Sequence, residues 1–217
     1  MGGAAGLEMA AGLLNAVLWA VAGITALAYL WLTETPPSLR RTVVKATPLL
    51  AFAMSAGLSG APVWLVVALG LSAVGDIALS RGGSRAFLVG LVAFALAHLA
   101  YLAVFAPQVV QWYMAPIAAL SGVAVLAMVV VVPRRDPLTW PARIYAVIIC
   151  AMTAAALSLP LGLRAATLGA VLFLLSDLIL AIRMFHLSDG SAGSRMASYI
   201  LWVFYVGGQG LILFAFL

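Results

Sequence analysis

Long apolar runs, broken only by short polar or Pro/Gly-bearing stretches, fill almost the whole chain. They fall near residues 9–32, 43–59, 62–80, 86–106, 114–132, 143–159, 166–186 and 197–217. A helix needs about 20 apolar residues to cross the hydrocarbon layer, and in lipid its backbone polar groups must all be satisfied internally. Hardly any run alternates apolar and polar positions as a lumen-lined barrel strand would. The pattern predicts an all-α, polytopic membrane bundle of about eight transmembrane helices, forming one domain over residues 1–217. The second and sixth runs are short and Pro48 lies inside the second, so seven spans with one re-entrant segment is the alternative count. The first run is read as a retained span rather than a cleaved leader. Glu8 stands before it, no Lys or Arg does, and it stays apolar through Leu32.

Composition sharpens this picture. Of the 217 residues, 66% are hydrophobic and only 8% charged, whereas soluble domains carry about 25% charged residues. The mean hydropathy is +1.20, more apolar surface than a water-soluble core can hide. The net charge of +5 would suggest nucleic acid in a soluble domain, but the positions of the charges explain it better. Arg40, Arg41, Lys45, Arg81, Arg85, Arg134, Arg135, Arg143, Arg183 and Arg195 flank the odd-numbered connections, and only Arg164 flanks an even-numbered one. The positive-inside rule then makes the odd connections cytoplasmic and both termini non-cytoplasmic in a cell (inner) membrane. Cys150 is the one cysteine and lies in an apolar run, so no disulfide forms within the chain and an inert buried thiol is expected.

Two segments half a chain apart are alike. Gly75-Asp76-Ile77-Ala78-Leu79-Ser80 and Ser176-Asp177-Leu178-Ile179-Leu180-Ala181 share a small residue, an Asp, an apolar triplet ending in Leu and a second small residue. Each Asp lies late in an odd-numbered span, which suggests a 4+4 parallel repeat.

An ionised side chain in hydrocarbon is expensive, so an intramembrane carboxylate normally faces the bundle interior and serves a purpose. Asp76 and Asp177 are the two such residues. They precede Arg81 and Arg183 by enough residues to sit roughly 8–9 Å in from the cytoplasmic boundary, at matched depth. The plain structural alternative is that one pairs with Lys45 or Arg143 and the other caps backbone groups. His98 falls near the middle of the fourth span, with Tyr101 on the same face as Phe94 and Phe105. The last span repeats the arrangement with Trp202, Tyr205 and Gln209. Buried hydroxyl, amide and imidazole groups need partners, which separates these stripes from simple packing. His186 lies at a span end and is read as interfacial. Only His98 is placed to bind a metal, and no G-x-S-x-G, P-loop or GxGxxG occurs, so neither metal nor cofactor is expected. Acid–base chemistry by the two carboxyls remains.

These residues resemble the YhhN family of membrane lysoplasmalogenases. The likeness is carried by Val44-Lys45-Ala46-Thr47-Pro48, by Leu71-Ser72-Ala73-Val74-Gly75-Asp76, and by Phe94 through Tyr101 with His98 inside it. It continues in Tyr145 through Met152, Gly169 through Asp177 with Leu180-Ala181, and Tyr205 through Gln209. The resemblance implies an eight-span hydrolase that cleaves the vinyl ether of a lysoplasmalogen, with a lysophospholipid and water as its partners. Asp76 and Asp177 would divide the roles of proton donor and stabilising anion. His98, Tyr101 and Gln209 would orient water or the glycerol oxygens, Lys45 would meet the phosphate, and Ser72, Tyr145, Ser176 and Tyr205 would support the site. A small proton-coupled transporter and a noncatalytic scaffold are the rival classes, since intramembrane Asp, His and Tyr also suit them.

Overall fold

Each apolar run folds as a helix. In the computed structural model, which describes residues 2–131 and 138–217, the helices are α1 (Gly2–Leu30), α2 (Leu39–Leu58), α3 (Val63–Leu79), α4 (Ser84–Phe105), α5 (Met114–Val130), α6 (Thr139–Leu157), α7 (Arg164–His186) and α8 (Ala192–Phe214). Arg134 and Arg135, used in the charge argument, lie outside the described residues.

Helices α1, α4, α6, α7 and α8 contain segments long and apolar enough to cross a membrane. Helices α3 and α5 are apolar but 17 residues long, and α2 carries Arg40, Arg41 and Lys45 in its first two turns. The outward surface is oily: Leu13, Ile24, Val89, Ile144 and Val203 are all exposed. Water would not tolerate so much apolar surface, whereas lipid does. Trp31, Trp64 and Trp140 are exposed at or near helix ends, where amphipathic rings suit a membrane–water boundary. The chain is a multi-pass membrane protein.

Four helices start four or more residues ahead of their apolar runs, α1 at residue 2 rather than 9 and three others by about one turn. Residues 39, 139 and 192 open α2, α6 and α8 where hydropathy alone points to 43, 143 and 197. Serines cap two of them: Ser38 Oγ accepts from the Arg41 amide at 3.2 Å and Ser191 Oγ from the Ser194 amide at 3.1 Å, each filling a donor the helix leaves open. The second run is one continuous helix with Pro48 buried inside it, not a re-entrant pair.

Packing follows chain order within each group of four: α1 on α2, α2 on α3, α3 on α4, then α5 on α6, α6 on α7, α7 on α8. Contacts of α4 with α6 and of α2 with α8 close a ring of α2, α3, α4, α6, α7 and α8, and leave α1 and α5 outside it. The α7–α8 seam is the tightest. A Cβ on Gly169 would stand 2.5 Å from the Gly208 carbonyl oxygen, and one on Gly208 would stand 2.6 Å from that of Gly169. Small residues are what allow two membrane helices to approach this closely. Inside the ring, Phe173 meets Tyr205 edge-on at 5.2 Å and His98 at 4.6 Å between ring centroids, the arrangement ring quadrupoles favour.

Candidate active site

Helix α3 supplies Asp76 and α7 supplies Asp177, each in the later part of its helix. Asp76 is 1% exposed. Lys45 Nζ on α2 lies 3.1 Å from its Oδ1, and the Tyr205 hydroxyl on α8 donates to its Oδ2 at 2.8 Å. Both oxygens therefore face donors, one of them a cation. Lys45 Nζ also stands 6.0 Å from the Tyr29 ring centroid, within cation–π range. The sequence left Lys45 and Arg143 as candidate partners; Lys45 is the partner, and the Arg143 guanidinium instead lies 5.6 Å from the Trp140 ring centroid.

Asp177 is held differently. The Tyr145 hydroxyl on α6 donates to its Oδ2 at 2.5 Å, and His98 Nε2 on α4 lies 3.4 Å from the same oxygen. His98 Nε2 is also 2.9 Å from the Tyr145 oxygen. A phenol has one proton to give, and here it goes to Asp177, so Nε2 carries the hydrogen that the Tyr145 oxygen accepts. His98 Nδ1 is buried and finds no hydrogen-bond partner among the described residues.

The two carboxylates have corresponding surroundings. Each sits on the third helix of its group of four, takes one partner from the helix before it, and takes a second from the fourth helix of the other group. The places match and the chemistry does not. Asp76 faces an ammonium and a phenol, while Asp177 faces a phenol and an imidazole.

Both aspartates line one cavity of about 320 Å³. Lys45, Tyr205, Ser176 and Phe94 share its wall, and Arg41, Arg183 and Asp189 mark its charged end, near the start of α2 and the end of α7. Phe94 reaches the wall because residue 75 is glycine; a Cβ there would stand 2.6 Å from the Phe94 ring. Arg41 Nη2 donates to the Thr33 carbonyl at 3.2 Å, and its Nε is buried without a partner among the described residues. Arg183 donates from Nε to the Ser194 carbonyl at 3.3 Å and lies 3.8 Å from Glu34. A second cavity, of about 160 Å³ and almost wholly apolar, lies among α4, α5, α6 and α7. The two share Asp177, Phe94, Leu79, Leu180, Met184 and Phe87 in their walls.

Not every expected residue reaches the cavity. Tyr145 lines the apolar cavity, and His98 stands behind it, fully buried. Ser176 reaches the wall, but its hydroxyl is spent on the Phe173 carbonyl at 2.7 Å. Ser72, Tyr101 and Gln209 line neither cavity. The Tyr101 hydroxyl donates to Gln209 Oε1, Gln209 Nε2 donates to Ser72 Oγ at 2.9 Å, and Ser72 Oγ donates to the Ala68 carbonyl at 2.9 Å. These hydrogen bonds tie α3, α4 and α8 together, and in the structure Tyr101 and Gln209 stand in this brace and away from both cavities. Arg41 and Arg183 were read from the sequence only as markers of sidedness. Arg41 stands four residues before Lys45 on one helix, a spacing that puts the two cations on one face and could have flagged it.

Comparison with known proteins adds a family and relatives. Residues 40–216 match the profile of the YhhN family. A lysoplasmalogenase of Mycobacterium bovis is 33% identical over 219 aligned positions, covering 89% of this chain and 81% of that protein. One from Mycobacterium tuberculosis matches to the same extent. Lysoplasmalogenase TMEM86B of Rattus norvegicus is 32% identical over 157 positions, 70% of this chain and 64% of the rat protein. No solved structure matches the chain.

Proposed function

This chain belongs to the YhhN family, and from that footing we propose that it is a membrane hydrolase that cleaves the vinyl ether bond of lysoplasmalogens, releasing a fatty aldehyde and a glycerophospho-base. The observation that carries the proposal is the pair of carboxylates on one cavity with unlike partners, Lys45 and Tyr205 for Asp76, Tyr145 and His98 for Asp177. An enol ether is hydrolysed by proton transfer to its β-carbon, which leaves an oxocarbenium ion that water captures at the α-carbon. Glycosidases meet the same cation with two carboxyls whose environments set them to different tasks.

The protons balance over one turnover. One carboxyl protonates the β-carbon, and the π electrons form the new C–H bond. The other, ionised, faces the cation and takes a proton from the attacking water. The resulting hemiacetal then collapses: its hydroxyl proton returns to the first carboxyl, the glycerol oxygen takes the proton held by the second, and both are reset. Tyr145 and Tyr205 orient the two carboxyls, and His98 holds Tyr145. Lys45 is engaged by Asp76, so in this reading the lipid phosphate goes to Arg41 and Arg183 at the charged end of the cavity. That end faces the cytoplasm, with both termini on the other side of a cell membrane, and the two groups of four helices form a parallel repeat.

The test is incubation of the purified protein with an alkenyl lysophospholipid and detection of free aldehyde. Asp76→Asn and Asp177→Asn should each lower turnover by about 10²–10⁴-fold, the usual contribution of a positioned acid or base, while the proteins stay folded. Turnover near that of the parent in either variant removes that residue from the mechanism. A reporter fused to each terminus checks the orientation, and a cytoplasmic signal from both would reverse it.

A further inference from the structure

Among the described residues, the apolar cavity among α4, α5, α6 and α7 has Asp177 as its one charged lining residue, and that residue is hydrogen-bonded to Tyr145 in the same wall. The rest of the lining is hydrocarbon or sulfur: Leu120, Ala124, Met128, Ala146, Cys150 and Ala181 are representative. It adjoins the polar cavity at Asp177. Read across the shared residue Asp177, the lining changes from the hydrocarbon of the slot to Asp76, Lys45 and Tyr205, and then to Arg41 and Arg183. A single-chain phospholipid has the same sequence of chemistry: hydrocarbon, ether, glycerol, phosphate.

We propose that the apolar slot seats the hydrocarbon chain of the substrate, and that this seating makes Asp177 the proton donor to the β-carbon and Asp76 the anion opposite the oxocarbenium ion. The inference rests on the proposed activity. In an enol ether the β-carbon lies on the tail side and the α-carbon on the glycerol side. With the tail in the slot, the β-carbon meets the carboxyl at the junction, which is Asp177. The α-carbon, where positive charge develops, then falls in the polar cavity with Asp76. The hydrogen bonds fit this division. Both oxygens of Asp76 face donors, one of them an ammonium, as suits a carboxylate. The contacts to Asp177 fall on Oδ2 alone, and its Oδ1 meets no donor among the described residues, which leaves an oxygen free to carry the proton.

Cys150 gives a readout of the slot that does not depend on turnover. In nanodiscs, a saturated hexadecyl lysophospholipid should slow N-ethylmaleimide labelling of Cys150, and a butyl analogue should not. Ala124→Trp places a ring across the slot from a helix outside the ring of six. It should abolish that protection and lower kcat/KM for a hexadecenyl substrate by about tenfold or more, because several buried methylenes are displaced. The butenyl substrate should stay within about twofold; Ala181→Phe provides a second obstruction on another wall. An analogue with a protonated amine in place of the α-carbon should bind Asp177→Asn as it binds the parent, and bind Asp76→Asn about tenfold or more weakly, as loss of a charged contact implies.

Absence of protection by the hexadecyl lipid overturns the slot, as does an unchanged chain-length profile in both obstructed variants. The reverse order of affinities for the amine overturns the carboxylate roles. Protection of Cys150 in a protein that hydrolyses no vinyl ether of any length would sustain the slot and refute the activity, and the carboxylate roles with it.

Discussion

Lys45→Met should cost more stability than the atoms removed would suggest. Asp76 is 1% exposed with Lys45 Nζ 3.1 Å from its Oδ1, so the substitution leaves a buried carboxylate without its counter-charge. Removing one member of a buried ion pair typically costs about 3–5 kcal/mol. Lys45 itself is 12% exposed, and Asp76 keeps the Tyr205 hydroxyl and lines a cavity. Those features soften the loss, so about 3 kcal/mol, the lower end of the range, is expected. Asp76→Asn alone should cost less, because a lysine freed of its partner can turn its ammonium toward the boundary. The double variant removes the orphan charge, and its cost should fall short of the sum of the single costs by about 1–3 kcal/mol. The four proteins form a cycle, read by reversible unfolding in mixed micelles of rising dodecyl sulfate content. Distant, independent sites add to within about 0.5 kcal/mol. Additivity at that level would mean that the pair contributes nothing and that Lys45 does not act as the counter-charge of Asp76.

Three further outcomes are expected. Tyr145→Phe removes the hydroxyl between His98 and Asp177 and should lower kcat by about 10–100-fold, the worth of a hydrogen bond to the charge that develops on Asp177 as its proton leaves, with little change in melting temperature; an unchanged kcat in the aldehyde assay would exclude that hydroxyl. Gly169→Ala forces a Cβ against the Gly208 carbonyl and should cost about 1–3 kcal/mol, whereas Gly207→Ala, with nothing within 4 Å of its Cβ, should stay within about 0.5 kcal/mol; thermal unfolding that ranks them equal contradicts the packing argument. Arg41→Gln and Arg183→Gln should raise KM for the lysophospholipid and leave kcat nearly unchanged, as loss of uniform binding does; a fall in kcat at constant KM would place them in the chemistry instead.

The fold was legible because lipid imposes one demand on every span. Among the described residues eight apolar runs became eight helices, and only the ends moved, most of all where α1, α2, α6 and α8 begin ahead of their runs. The aspartates were legible for a related reason, since a charge in hydrocarbon stands out. Their partners were not. Lys45 and Arg143 were equally available on paper, and only the packing of α2 against α3 selects the lysine. Tyr101 and Gln209 are of the types an active site uses, yet their hydrogen bonds run 108 and 137 positions along the chain into a closed brace. Arg41 and Arg183 serve the sidedness rule and the cavity at once, and a sequence shows only the first.

The glycine seam between α7 and α8 has a bearing on how a lipid gets in. Parting those two helices would break a contact in which backbone meets backbone, and would pull Asp177 and Tyr205 out of position together. Helix α5 stands outside the ring and leans on α6, so a small sideways displacement of it disturbs far less. The bundle is thus riveted along α7 and α8 and more loosely held along α5.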